Sequence, residues 1–425
     1  MIAQEGVVDG RGGRATWRRM GMALLPAAAL AWADGAHALW GDRVELFAAQ
    51  TITRDDNVFR LSSQSDPASV LGTPSKADTF STTSAGLNFD VPVSRQRFTG
   101  GFSVADNRYD QFTVLDYTEH HGRATWQWEA GSRFNGRLGY KQDRALASLA
   151  NVQGGVQVST PNPLTTQKGF FDATVLLGAR WRLQAEVSRL AQENEAVPQQ
   201  VNDITDDGAG LTLNYVTPAG NQIGFGVHMQ DAELPNAQLV NGILVDNSYR
   251  QRRASVVTEW HITGRSQLRA SAGWVERSFA QLPERDYDTG FFRAAYAWDP
   301  GGRFTLAATA QRDIAAPDEV NVGVNIGFVL VQGVALRPAY RMSDKLELSG
   351  SLEAADWEYL GDPGMALGTV PPRSDRVRAV ALRVGYQPWR AVRFALALRH
   401  EDRSSTAAFG DYVDQVVSLS ARLAF

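Results

Sequence analysis

The chain has 425 residues, no cysteine, 39 glycines, 10% aromatic residues and a formal charge of −4. Zero cysteine removes disulfide frameworks and thiolate metal sites, and the mildly acidic balance argues against nucleic acid as a partner. Outside the amino-terminus no apolar stretch approaches the ~18 residues of a membrane-crossing helix, which excludes a helical membrane protein.

In chain order, Arg14, Arg18 and Arg19 precede the apolar run from Gly21 to Leu30, and small residues then line up as Ala36-His37-Ala38. A basic segment, an apolar segment too short to span a bilayer and an A-x-A site predict a secretory signal over residues 1–38. Ala31-Trp32-Ala33 is a second candidate cut. Cleavage after residue 38 removes four arginines and three acidic residues, taking the charge from −4 to −5.

From residue 39 to 425 the pattern is strand after strand. Val44 to Ile52 comes first. Ala85 to Val91 then pairs with Phe98 to Val104 across Pro92-Val93-Ser94-Arg95, and Arg123 to Ala130 pairs with Phe134 to Lys141 across Gly131-Ser132-Arg133. Ala209 to Tyr215 and Ile223 to Met229 flank Thr217-Pro218-Ala219-Gly220. Further turns fall near Arg180, His261 to Ser266, Asp299 to Gly302, Arg341 to Asp344 and Gln387 to Arg390. Val417 to Phe425 stands alone at the end and ends on an aromatic residue. Each segment alternates apolar with polar, the period of a strand with one greasy and one wet face, at the ~10-residue length of a tilted membrane strand. These features predict an all-β fold, a transmembrane up-and-down antiparallel β-barrel of about 18 strands with short periplasmic turns and longer extracellular loops. The two lone end strands close it, and Phe425 is expected to serve barrel assembly. Val320 to Tyr340 is too long for one plain crossing, so its first half reads as loop. A large soluble β-sandwich is the competing architecture.

The apolar parity, for example Leu87, Phe89, Phe102, Val104, Phe225, Val227, Leu382 and Val384, carries no charge in mid-strand. That face is assigned to lipid. Trp128, Phe134, Trp181, Tyr215, Trp260, Trp298, Phe304, Tyr340, Tyr386 and Phe425 gather at its periplasmic edge as an aromatic girdle. The opposite parity is assigned to the lumen and carries Arg97, Arg123, Arg137, Arg182, Arg253, Arg269, Arg293, Arg303, Arg337, Arg383, Arg393 and Arg422. Acidic residues of that parity are fewer: Asp90, Glu129, Asp172, Glu186, Glu259, Glu347 and Glu353. Glu193, Asp206, Glu401 and Asp402 read as loop residues. Two roles stand open for the arginines. They pair with carboxylates on neighbouring strands, with Asp90 opposite Arg97 and Glu259 opposite Arg269, or their surplus makes an anion-favouring pore.

Chemistry is sparse. The histidines after residue 38 are His120, His121, His228, His261 and His400, and none forms a catalytic constellation with a nucleophile and an orienting group. No enzyme, cofactor or metal site is predicted. Asp55-Asp56-Asn57 offers oxygen ligands but lacks the spaced series of a calcium loop.

Three segments carry a resemblance: Arg54-Asp55-Asp56-Asn57-Val58-Phe59-Arg60, then Gly86 to Gln96, then Tyr109 to Tyr117. They resemble the EpsL-type outer-membrane proteins of exopolysaccharide operons, within the broader β-barrel porin-2 group. The resemblance implies a bacterial outer-membrane pore in export or biosynthesis of a surface polysaccharide, in bacteria with an exosortase sorting system. Its implied partners are the polysaccharide chain and other export components, besides outer-membrane lipid and the barrel assembly machinery. The alternative function is a general or anion-preferring solute porin.

Overall fold

A computed structural model describes residues 43–150, 152–153, 156–157, 160–240, 243–315, 328–360 and 373–425. The predicted signal segment lies outside the described residues, as does most of the loop-like first half of Val320 to Tyr340.

Eighteen strands form one antiparallel sheet. They are β1 (Val44–Asp55), β2 (Asp78–Val93), β3 (Gln96–Tyr109), β4 (Tyr117–Ala130), β5 (Phe134–Leu146) and β6 (Pro163–Leu177). Next come β7 (Trp181–Asn194), β8 (Ile204–Val216), β9 (Gln222–Glu233), β10 (Tyr249–Thr263), β11 (Ser266–Phe279) and β12 (Tyr287–Trp298). The last are β13 (Phe304–Ile314), β14 (Phe328–Arg341), β15 (Leu346–Leu360), β16 (Ser374–Trp389), β17 (Val392–Ser405) and β18 (Tyr412–Ala424). Each strand pairs with the next, and β18 pairs with β1 from Phe47↔Ala424 to Asp55↔Val416. The sheet is therefore a closed barrel without edges. Phe425 continues the seam, its N–H donating to Leu46 O at 2.8 Å and its carbonyl accepting from Leu46 N at 3.2 Å.

The strands run further outward than their apolar cores show. β3 reaches Tyr109, β7 reaches Asn194, and β17 carries Glu401 and Asp402, which the alternation alone assigns to loops. At these outer ends both faces turn polar, so the period that marks a strand fades while its hydrogen bonds continue. The periplasmic turns are tight and place Gly131 (φ 63°) and Gly178 (φ 72°) in the left-handed region that favours glycine. Pro338, which has no N–H to offer, falls where the β14–β15 ladder skips from Leu336↔Leu352 to Ala339↔Ser349.

Register fixes the faces. Because every pairing preserves the two-residue period around the circle, the residues on the same side as Leu419 and Phe225 all face outward, and those on the side of Arg422 all face inward. Outward side chains such as Phe225 (58% exposed), Val227, Leu211 and Leu419 are apolar and uncovered by protein, which is the surface that hydrocarbon requires. The aromatic residues of the expected girdle occupy outward positions beside the short turns, with Trp181 packed edge-on to Tyr215 and Trp298 to Phe304. Buried apolar residues gather instead in three clusters at the extracellular end, two of them built largely by loop residues or the outermost residues of strands.

The two faces predict opposite tolerance to charge. Val227→Arg, at the outward middle of β9, should destabilise the folded barrel by ~2–4 kcal/mol. Thr212→Arg, on the inward face of the neighbouring strand, should change stability far less. Urea titration of the protein folded into lipid vesicles measures both, and equal losses would contradict the assignment of faces.

Candidate functional site: the lumen and loop L1

The segment after β1, residues 56–77 (L1), turns back into the barrel. Asn57 is fully buried and organises the turn: its Oδ1 accepts from Leu61 N at 2.8 Å, while its Nδ2 donates to Leu61 O at 2.9 Å and to Val413 O at 3.0 Å. Asp55 Oδ1 accepts from Asn57 N at 2.8 Å. Asp56 extends the seam with β18, donating to Gln415 O at 3.1 Å and accepting from Gln415 N at 2.7 Å. Ser62 and Ser63 donate to the two oxygens of Asp411 at 2.7 and 3.1 Å. The Asp-Asp-Asn segment thus spends its oxygens on the chain itself.

Arg60 completes the anchor. Its backbone is left-handed (φ 55°), and its guanidinium bridges Asp55 at 2.8 Å and the fully buried Asp414 of β18 at 2.9 Å. Burial works hardest against the charge, yet Asp55 and Asp414 outweigh it and hold the guanidinium above its ordinary pKa. Around this ionic knot Val58, Phe59 and Leu61 pack on Phe112 and Leu115 of the β3–β4 loop, with Phe59 and Phe112 edge to face at 4.9 Å. Asp78 fixes that second loop by accepting from Gln111 N at 3.1 Å and Phe112 N at 2.8 Å. L1 reaches the lumen itself, because Arg60 lines one cavity together with inward residues of β13 to β18.

The twelve arginines singled out by parity divide into four groups. Arg137 pairs with Asp172 at 2.8 Å, Arg269 with Glu259 at 3.5 Å and Arg337 with Glu353 at 3.1 Å, while Arg97 pairs with Asp90 and Arg422 with Glu45. Glu259 does lie directly opposite Arg269, but Asp90 faces Thr99 and reaches Arg97 diagonally. Arg253 and Arg293 converge on one oxygen of Asp313, at 2.7 and 2.6 Å, and Asp313 is only 2% exposed. Arg123, Arg182, Arg383 and Arg393 occupy inward register positions with no carboxylate at ion-pair distance among the described residues. Arg303 departs from the wall: it sits in the turn before β13 and donates to Met342 O at 3.0 Å.

Sequence parity also left charges on the wall uncounted. Arg277, Arg399 and Arg403 face inward, and so do Glu45, Asp206, Asp313, Asp375, Glu401 and Asp414. The expected surplus of arginine shrinks to near balance, fourteen arginines against thirteen carboxylates, once these residues are counted on the wall. Most of them lie at the outer strand ends, where the alternation no longer marks a strand. Arg403 is buried between the rings of Trp357 (5.1 Å) and Tyr412 (5.8 Å), donates to Tyr359 Oη at 2.7 Å and pairs with Asp375. His121 is held between Glu119 and Asp143 at 3.0 and 2.9 Å; His228 lies 3.7 Å from Glu186. Both are pairs on the inward face of the wall. Among the described residues no cluster of three His, Asp or Glu side chains could hold a metal ion.

Two outcomes follow. Asn57→Ala strips three hydrogen bonds from buried backbone groups, a local loss of ~1–3 kcal/mol for each group left unsatisfied. It should free L1 for protease cleavage within residues 58–76 while the barrel stays heat-modifiable on gels; an L1 as resistant as the parent's would contradict the anchoring role. Asp313→Asn releases two inward guanidinium groups from their shared carboxylate. The reversal potential of reconstituted channels in a salt gradient should move toward anions, and a move toward cations would overturn the charge assignment.

Comparison with known proteins adds the following. The family model described as Putative beta-barrel porin 2 matches residues 223–425, which is β9 to the end of β18. No curated protein matches the sequence. Among solved structures, OpdK of Pseudomonas aeruginosa with vanillate is 12% identical, covering 90% of this chain and 99% of that one at a TM-score of 0.47. OpdQ of the same organism is 14% identical with 90% and 99% covered and a TM-score of 0.47. OccK2 (OpdF) is 11% identical with 90% and 98% covered and a TM-score of 0.48. With its edgeless eighteen-strand sheet, apolar exterior and ionic interior, the protein is an outer-membrane β-barrel.

Proposed function

We propose that the barrel is a porin for small solutes, with L1 as its constriction. The observation that carries this reading is the inward-folded L1, stitched to β18 through Asn57, Arg60 and Asp56 and packed on the β3–β4 loop. An eighteen-strand cylinder is wide enough for an aqueous channel, and an anchored loop across part of that width sets the size of what passes. The wall is charged but matched, mostly in cross-strand pairs, so passage rests on repeated weak polar contacts rather than one deep trap.

Export of a surface polysaccharide, the role implied by the resemblance, calls for a wider path. A threaded polymer requires L1 to leave the lumen, which breaks the buried Arg60–Asp414 pair and the Phe59–Phe112 contact together.

Single-channel recording in planar bilayers with graded polyethylene glycols separates the two. The parent protein should conduct and exclude all but the smallest polymers from its lumen. Replacing residues 58–76 by a short Gly-Ser linker should raise conductance severalfold and admit larger polymers. Identical conductance and polymer cut-off in both proteins would refute L1 as the constriction. A gene deletion that abolishes surface polysaccharide while leaving small-solute uptake intact would favour export instead.

A further inference from the structure

The inner wall between β14 and β17 contains a recess that the ion pairs do not explain. The register stacks small side chains there: Gly333 opposite Ala355, and Ala335 and Ala379 on either side of Glu353. With nothing larger to fill the space, a cavity of about 540 Å³ opens into the lumen, and Arg60 and Ser148 reach over it from the extracellular loops.

Its polar frame is ordered by the same register. Glu353 and Glu401 share one row, separated by the single strand that carries Ala379. Two strand spacings put them roughly 10 Å apart. One row nearer the periplasm stand Arg337 and Arg399, which pair with Glu353 and Glu401 respectively. Above, toward the outside, Trp357 is half-buried with Arg403 over its ring. The recess therefore has an apolar floor, two carboxylate–guanidinium pairs at its sides and an aromatic roof.

We propose that this recess is a subsite for a neutral, hydroxyl-rich solute of about the size of a monosaccharide; the inference rests on the solute-porin reading and names its substrate class. The carboxylates and guanidinium groups of the frame are already paired with one another, so a ligand with net charge finds no opposite charge left free to pair with it. A paired carboxylate still has free lone pairs and a paired guanidinium still has free N–H groups. Vicinal hydroxyls can use both at once, donating to Glu353 or Glu401 and accepting from Arg337 or Arg399. Small apolar groups at the back and a ring above suit the C–H faces of such a solute, the mixture of apolar lining and a few converging polar groups that ligand sites share. The Arg337–Glu353 pair is about half exposed, with side chains 51% and 43% accessible, so the frame can be reached from the lumen.

The test is isothermal titration of the detergent-folded full chain with D-glucose, D-gluconate, D-glucosamine and L-alanine, alongside block of ion current by the same probes in bilayers. Glucose should bind and block, with the two singly charged probes and the zwitterion at least tenfold weaker. Ala379→Leu, which fills the recess, and Trp357→Ala, which removes its roof, should each weaken glucose binding at least tenfold, with heat-modifiable mobility certifying the fold. A conducting channel that gives no heat with glucose, unchanged glucose affinity in folded Ala379→Leu, or tighter binding of a charged or zwitterionic probe would each overturn the subsite and leave the porin reading standing. A protein that fails to conduct yet binds glucose in an Ala379-dependent way would refute the porin reading and uphold the subsite.

Discussion

Closure of the sheet is the constraint on which everything else rests. Hydrocarbon offers no hydrogen-bond partner, so each backbone N–H and C=O in the bilayer has to be satisfied within the protein, and a β-sheet achieves this only by joining its first strand to its last. Here the β1–β18 seam does so over nine register pairs. An even number of strands lets the first and last meet antiparallel like every other pair, and because paired residues share a face, inward remains inward all the way round. A seam offset by one residue would turn Arg422 toward lipid and Leu419 toward water. The division into a greasy outside and an ionic inside is thus a property of the circle, not of any one strand.

A closed barrel has no conventional core, which explains where its buried residues lie. The apolar outward side chains are sheltered by lipid rather than by protein, and the lumen is wet along its periplasmic half. The clusters of buried apolar residues lie at the extracellular end, where the loops can pack on one another and on the last residues of the strands. The ion pairs sort by the same geography. Half-exposed pairs such as Arg97–Asp90 and Arg376–Asp356 contribute little to stability. Buried groups such as Asp313 between two arginines, or Arg403 with Asp375, are different: removing one partner strands an uncompensated charge. These groups hold a particular arrangement at the outer end.

The alternation in the central segments made the barrel legible, because that period is imposed by lipid on one side and water on the other. Glu259 opposite Arg269 could even be read from a hairpin register. Legibility failed wherever the lipid contribution ended. Glu401 belongs to a ladder as regular as that of Leu396, yet its neighbours are polar on both faces and the period vanishes. Counting charge on the wall from the central segments alone therefore omitted Asp313, Asp375, Glu401 and Asp414, and overstated the surplus of arginine. The inward course of L1 was equally hidden. It depends on contacts such as Asn57 with Val413 and Ser62 with Asp411, more than 340 residues apart in sequence.

The segment Asp55 to Arg60 shows what a short sequence likeness can transmit. Asp55 and Asn57 close the turn, Arg60 takes a left-handed backbone and ties it to β18, and Val58 and Phe59 supply apolar contacts that press L1 against the second loop. None of these groups except the Arg60 side chain borders the cavity of the lumen. A likeness carried by these residues therefore speaks for a common way of folding a loop into a barrel. The cavity is lined instead by side chains on β13 to β18 such as Gln311, Glu353 and Arg399, where strand alternation constrains only the face and leaves the chemistry free to change. The residues that tie the loop down and the residues that line the cavity are thus largely different ones, and alternation speaks for the barrel without naming the chemistry of its wall.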